Sequence, residues 1–357
     1  HAFPLRLSSD LTRLLGPAGP ELLLAHASLL LGKEPVYFYN GLLNAGMIWA
    51  SLAGILIVPA DSYRRFRRRA CMGWLLPLFF LMPAMWFIAL NSNYGNVFGM
   101  VVFGAYLAAA LEWRTASLHR SAISVLMLGA IAATYPTLIP FAGLCVVMAL
   151  LLQFLLPGRP HRSVMKSILR IGAETAVSVV LFAGFFLSAW ATIASERRIS
   201  SNQVIIRPYD TYAGLDPMRY AMAFLTTSRT FAEWLPIILC AAGLLAFSAI
   251  LLQVIWKRGA SQRLLPGAVA AFLIMTAFVF FESFNYGKVK VVEYFALFAA
   301  PLLVTGYLSA GRQKGGRVPG IIVRTCFALC MLMALGADVF QMRDSLKWGG
   351  LKHGSQD

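Results

Sequence analysis

Charge is what this chain has least of. Only 13% of its 357 residues are Asp, Glu, Lys or Arg, about half the share found in an ordinary soluble domain. Hydrophobic residues make up 59%, and the mean hydropathy is +0.70. A chain this poor in charge cannot dress a surface for water, so a soluble globular domain is excluded. The signatures of soluble-cofactor enzymes are missing as well. There is no GxxxxGK[ST] phosphate loop, no GxGxxG opening a helix after a strand, no HExxH and no GxSxG, so ATP-driven, dinucleotide-dependent and common hydrolase chemistries are set aside. No CxxC pair is present among the five cysteines (Cys71, Cys145, Cys240, Cys326, Cys330), and all fall in or beside apolar runs. They read as packing residues, Cys326 and Cys330 sharing one helix face, and not as metal ligands or outer disulfides. The histidines are scattered, which argues against a catalytic zinc. Ten-residue segments of alternating polarity are absent, which excludes a membrane β-barrel.

Present instead are apolar runs near twenty residues long, which satisfy their own backbone hydrogen bonds in lipid as helices. About ten are expected: Leu42–Pro59, Cys71–Leu90, Val97–Leu111, Ser121–Thr134, Leu138–Leu156, Ala173–Ala194, Trp234–Trp256, Leu264–Phe281, Phe295–Leu308 and Ile321–Phe340. Tyr135-Pro136 marks a break between two of them, because the residue before a proline is driven out of helical geometry. The expected fold is all-α: a polytopic bundle over 41–340, an external segment over 1–40, a longer external loop over 195–233 and a polar tail over 341–357.

The net charge of +16 points to anionic headgroups and not to nucleic acid, because the cations gather between spans. Links 61–69, 112–120, 157–170, 257–263 and 311–317 carry five, two, four, three and three Lys or Arg, while 91–96 and the Tyr135 turn carry none. The alternation puts the basic links inside and both ends of the sequence outside, on the external side of a plasma (inner) membrane. Since the sequence begins at His1 with no leader before its first span, an upstream span is expected, making 1–40 the back half of a first external loop. Within it Leu22–Leu31 is too short to cross and reads as an interfacial helix opened by Pro20 and ended by Gly32.

One stretch is out of keeping with its surroundings. Glu282–Tyr294, ESFNYGKVKVVEY, sets two lysines and two glutamates between apolar runs, where charge is costly unless it meets water, a partner or a site. Lys288 and Lys290 are candidates for a substrate phosphate, each a point charge suited to a partly desolvated site. The plainer reading makes them interfacial lysines or ion-pair partners of Glu282 and Glu293. In the 195–233 loop, Arg197, Arg198 and Arg207 could clamp a phosphate. Asp210 could meet a sugar hydroxyl, and Tyr209, like Tyr286 in the later loop, offers a ring to a sugar face. Ordinary surface charge and interfacial tyrosines account for the same residues.

Four segments resemble the bacterial GT-C glycosyltransferases, polytopic enzymes that use polyprenyl-phosphate-linked sugars on the outer membrane face. They are GPELLLAHASLLLGKEP (Gly19–Pro35), NYGNVFGMVVFGAYLAAAL (Asn93–Leu111), ATYPTLIPF (Ala133–Phe141) and FNYGKVKVVEYFALFAAPLL (Phe284–Leu303). The resemblance implies sugar transfer from a lipid-phosphate donor to an envelope glycan or lipid acceptor, with a divalent cation (Mg or Mn) as the one cofactor left open. It also implies a catalytic acidic residue in the first external loop, where the general base takes the acceptor's proton. Asp10 is the best-placed carboxylate there, and capping of a helix starting at Leu11 accounts for the same residue. No DxD or DE pair is present in 1–40, so the acid is otherwise expected upstream of His1. A secondary transporter or flippase, or a polysaccharide polymerase, remains the alternative.

Overall fold

The computed structural model describes residues 94–111, 117–155, 161–201 and 264–282, with shorter pieces at 32, 45–50, 52–54, 287, 290–295, 297–299, 301–302, 321, 325, 328–329 and 332. Among the described residues there is no strand. Six helices are continuous: α1 Tyr94–Leu111, α2 Leu118–Thr134, α3 Leu138–Leu155, α4 His161–Leu181, α5 Ala183–Ser201 and α6 Leu264–Phe281. Two further helical pieces, 45–54 and 290–302, pack against them.

Local chemistry sets the boundaries. Ser117, in extended geometry, accepts the Arg120 N–H and caps α2, satisfying one of the donors that a helix start leaves open. At the other end Pro136 forces Tyr135 out of the helix, at φ −151°. The chain turns through Thr137 with Leu138 donating to the Tyr135 carbonyl and Ile139 to that of Pro136. Pro140 and Pro266 lie in the first turns of α3 and α6, where a proline costs no helical hydrogen bond. Gly32 has φ 60°, the left-handed geometry of a glycine that ends a helix; the residues before it lie outside those described.

α3 and α6 are long and apolar enough to cross a bilayer, and α4 with α5 makes a third crossing if that bent pair is one span. Both straight helices are apolar all round. α3 buries Phe141, Cys145, Ala149 and Gln153 and exposes Val147, Leu151, Phe154 and Leu155. α6 exposes Leu273, Ile274, Phe278 and Phe281. Outer faces of this kind are solvated by lipid, not water. This is a helical membrane protein.

Small residues let the helices touch. A Cβ on Gly267 would lie 2.8 Å from the Ala149 nitrogen, so the α3 and α6 backbones are in contact. Gly46 meets Val97 and Phe98 while Gly104 meets Ala53, so the 45–54 piece runs parallel to α1. The contacts Asn96 to Glu293 and Phe103 to Phe298 make the 290–302 piece parallel to α1 as well. Gly95 lies beside Thr134, so α2 runs antiparallel to α1.

The straight span expected over Ala173–Ala194 is not what forms. Helix starts at His161, within the stretch expected to be a basic link, and bends by 92° between α4 and α5. No proline lies at the bend. Phe182 is seated against α2 at Gly129, where even a Cβ would overlap its ring.

Candidate functional site

The stretch singled out for its charge forms a buried polar site that joins distant parts of the chain. Glu293 is fully buried, and its Oε2 accepts 3.0 Å from Lys290 Nζ and 2.6 Å from Asn96 Nδ2. Lys290 sits one helical turn before Glu293, a spacing that puts the two side chains on one face. Its ammonium also lies 5.3 Å from the ring centre of Tyr135, a cation–π contact from the turn between α2 and α3. Asn96 comes from the first turns of α1, 197 residues away in sequence. The amide orientation follows from chemistry, since its oxygen turned toward the carboxylate would repel.

An aromatic layer holds these groups from below. Tyr135 meets Tyr294 edge-on at 5.8 Å, and Tyr294 lies 5.7 Å from Phe141. Phe141, Phe103 and Phe298 contact one another, Phe298 meets Phe295, and Phe295 stacks on Phe272 at 4.4 Å. Asn96 shares its helix face with Met100, Phe103 and Leu107, and Glu293 shares one with Lys290 and Leu297. The polar groups therefore crown a core and do not interrupt it. In so dry a place the two charges depend on each other, and either ion without its partner would be costly.

The cluster is not saturated. Glu293 Oε1, Asn96 Oδ1 and Thr137 Oγ1 are buried and have no hydrogen-bond partner. These oxygens can take donors, but the set does not suit a divalent cation, because the single carboxylate is already compensated by Lys290. Among the described residues no group of three or more His, Cys, Asp and Glu is arranged to hold a metal.

A second buried carboxylate lies at the other end of α1 and α2. Glu174 on α4 accepts from Ser121 at 2.6 Å and pairs with Arg170 at 3.5 Å. Arg170 also donates to the Ala110 carbonyl at 2.7 Å, tying down the last turn of α1, where a cation offsets the helix dipole. Ser178 donates to Val125 O in the same seam. This is joinery between helices.

Of the residues proposed from sequence, Lys290 is described and takes the role of ion-pair partner to Glu293, and Arg197 and Arg198 fall within α5. Asp10, Lys288, Arg207, Tyr209, Asp210 and Tyr286 lie outside the described residues. Sequence reading passed over Asn96, taken as part of an uncharged turn, and Tyr135, taken only as a break. Their signal was positional: Asn96 is in phase with Met100, Phe103 and Leu107 on a helix that starts at Tyr94 and not Val97. The sequence matches no protein-family model and no curated protein.

Proposed function

We propose that this chain is a polytopic membrane glycosyltransferase of the GT-C kind. It would take a sugar from a polyprenyl-phosphate donor and pass it to an envelope glycan or lipid on the outer face. The observation that carries this reading is a convergence. Three of the four segments that resemble such enzymes supply the buried cluster: Asn96 from Asn93–Leu111, Tyr135 from Ala133–Phe141, and Lys290 with Glu293 from Phe284–Leu303. Segments scattered over two hundred residues meet at one charged point, at the end of the bundle assigned here to the outside.

The ten-span topology belongs to the same proposal. It requires 45–54, α1 and 290–302 to run in one direction and α2 in the other, and their contacts fit that requirement. In this reading Lys290 is a positioning residue. Paired to Glu293, it holds the start of the 290–302 helix, while Lys288, two residues earlier, is the candidate for the donor phosphate. Asp10 or a carboxylate upstream of His1 would take the acceptor's proton.

One observation favours a second reading, a transporter or flippase. A buried ion pair within apolar helices is what proton and substrate pathways are built from. The two readings separate in detergent, where chemistry survives and transport between compartments has no meaning. The full-length protein is purified and given radiolabelled polyprenyl-phosphate sugars with membrane-extracted acceptors. Transfer by the wild type, lost in Lys288→Ala at equal protein level, is the expected result. Transfer retained in Asp10→Ala would move the catalytic acid upstream. No transfer from any donor would leave the transporter.

A further inference from the structure

The bend between α4 and α5 determines how the second of these helices can meet the membrane. α4 runs parallel to α2 at a constant offset: Glu174 bonds Ser121, Ser178 bonds Val125, and Phe182 sits on Gly129, each pair 53 residues apart. The two helices therefore climb together, from the end of the bundle holding Glu174 toward the end holding Glu293. At Phe182 the chain turns by 92°. If α2 and α4 cross the bilayer, α5 cannot. The turn comes five residues short of the end of α2 at Thr134, which at 1.5 Å per residue is about 7 Å of depth. Helices that lie in the interface sit about 5–10 Å into the boundary between headgroups and acyl chains.

The faces of α5 match that position. At about 100° per residue, Phe186, Ala189 and Ile193 fall on one side, half-buried or buried, with α5 packed on α2. Ala183, Leu187 and Trp190 form a second side. It is apolar and open, with Leu187 73% and Trp190 74% exposed. Ser188 and Thr192, both half-buried, form a third side roughly opposite the second, and Thr192 Oγ1 donates to the Ser188 carbonyl. The exposed Phe185 borders it. A helix lying flat against the bundle needs one protein face and one oily face, and α5 has both.

We propose that α5 lies in the plane of the membrane, at the end of the bundle that holds the Glu293 cluster. Leu187 and Trp190 reach into the acyl chains. The partner of this exposed surface is the bilayer interface itself. The inference rests on membrane insertion and not on the glycosyltransferase reading.

Spin labelling tests it. Single cysteines replace Ala183, Leu187 and Trp190 in a full-length chain otherwise free of cysteine, reconstituted in phosphatidylcholine–phosphatidylglycerol vesicles. Val147, Leu151 and Leu155 on α3 serve as the crossing control. Depth is read from the relative access of oxygen and a water-soluble nickel chelate. The α5 labels should be oxygen-accessible at one shared shallow depth, while the α3 labels drift by about 12 Å over eight residues. A similar drift along α5 would make it a span and overturn the proposal. So would nickel access at all three labels, or exclusion of both reagents, which would mean water or another segment covers this face. Should the cysteine-free chain fail to fold, the native chain provides a second measurement. Trp190→Phe should remove fluorescence that is quenched by lipids brominated near the headgroup and spared by those brominated near the chain end; loss of deeply quenched signal would overturn it.

Discussion

Two carboxylates are buried at opposite ends of the α1–α2 pair, and each is built from similar parts. Glu174 has a cation four residues before it on its own helix and a hydroxyl from α2; Glu293 has a cation three residues before it and an amide from α1. They differ in access to water. The side chains of Arg170 and Glu174 are 19% and 8% exposed, those of Lys290 and Glu293 only 6% and 1%. Arg170 also spends a second donor on the end of α1. Lys290 has an aromatic face beneath it instead. The first cluster is the less enclosed of the two, although Glu174 Oε2 and Arg170 Nε are buried without a hydrogen-bond partner. The second is sealed, so its charges depend on one another.

The sharpest way to break the comparison is to remove the cation from the sealed pair. Lys290→Met leaves Glu293 buried with Asn96 alone, and the expected loss is about 3–5 kcal/mol. It would be read as a fall in the unfolding midpoint in mild detergent and as reduced yield in membranes. Adding Glu293→Leu should recover much of that loss, because an apolar pair of similar volume suits the site. If the double variant were no better than the single, the cost would lie in packing and not in the stranded charge. A smaller effect is expected from Asn96→Ala, which removes one of two donors to a buried carboxylate, worth about 1.5–3 kcal/mol. The same substitution should slow proposed sugar transfer by loosening the start of the 290–302 helix, with Asn96→Asp worse than Asn96→Ala because it sets two carboxylates together.

Much of the fold was legible. Leu264–Phe281 is bounded as its apolar run predicts, and α2 and α3 part at Tyr135-Pro136, because proline chemistry and a twenty-residue run act locally. The bend at Phe182 was not legible. No proline or charge marks it, and the ring at the bend is seated on a glycine 53 residues away. Glu293 and Lys290 were visible as misplaced charge, yet their closure by Asn96 was not. That contact spans 197 residues, and only the helical phase of Asn96 hinted at it. Local sequence states where a charged group is out of keeping with its neighbours. It does not state which distant group compensates it.

The smallest predicted effect belongs to the rim, and it tests whether the difference in access matters. Ser121→Ala removes the hydroxyl that donates to Glu174. By bond length it matches Asn96→Ala, each partner lying 2.6 Å from its carboxylate. If hydrogen-bond geometry alone set the cost, the two variants would fall together. The rim is less enclosed, however, and Arg170 remains on the same oxygen. The expected loss is therefore only about 0.5–1.5 kcal/mol, the ordinary range for a hydrogen bond. Thermal unfolding of the two variants side by side in one detergent decides it. Equal shifts would mean the sealed cluster is no drier than the rim, and would remove the physical reason for treating Glu293 as more than a second fastening.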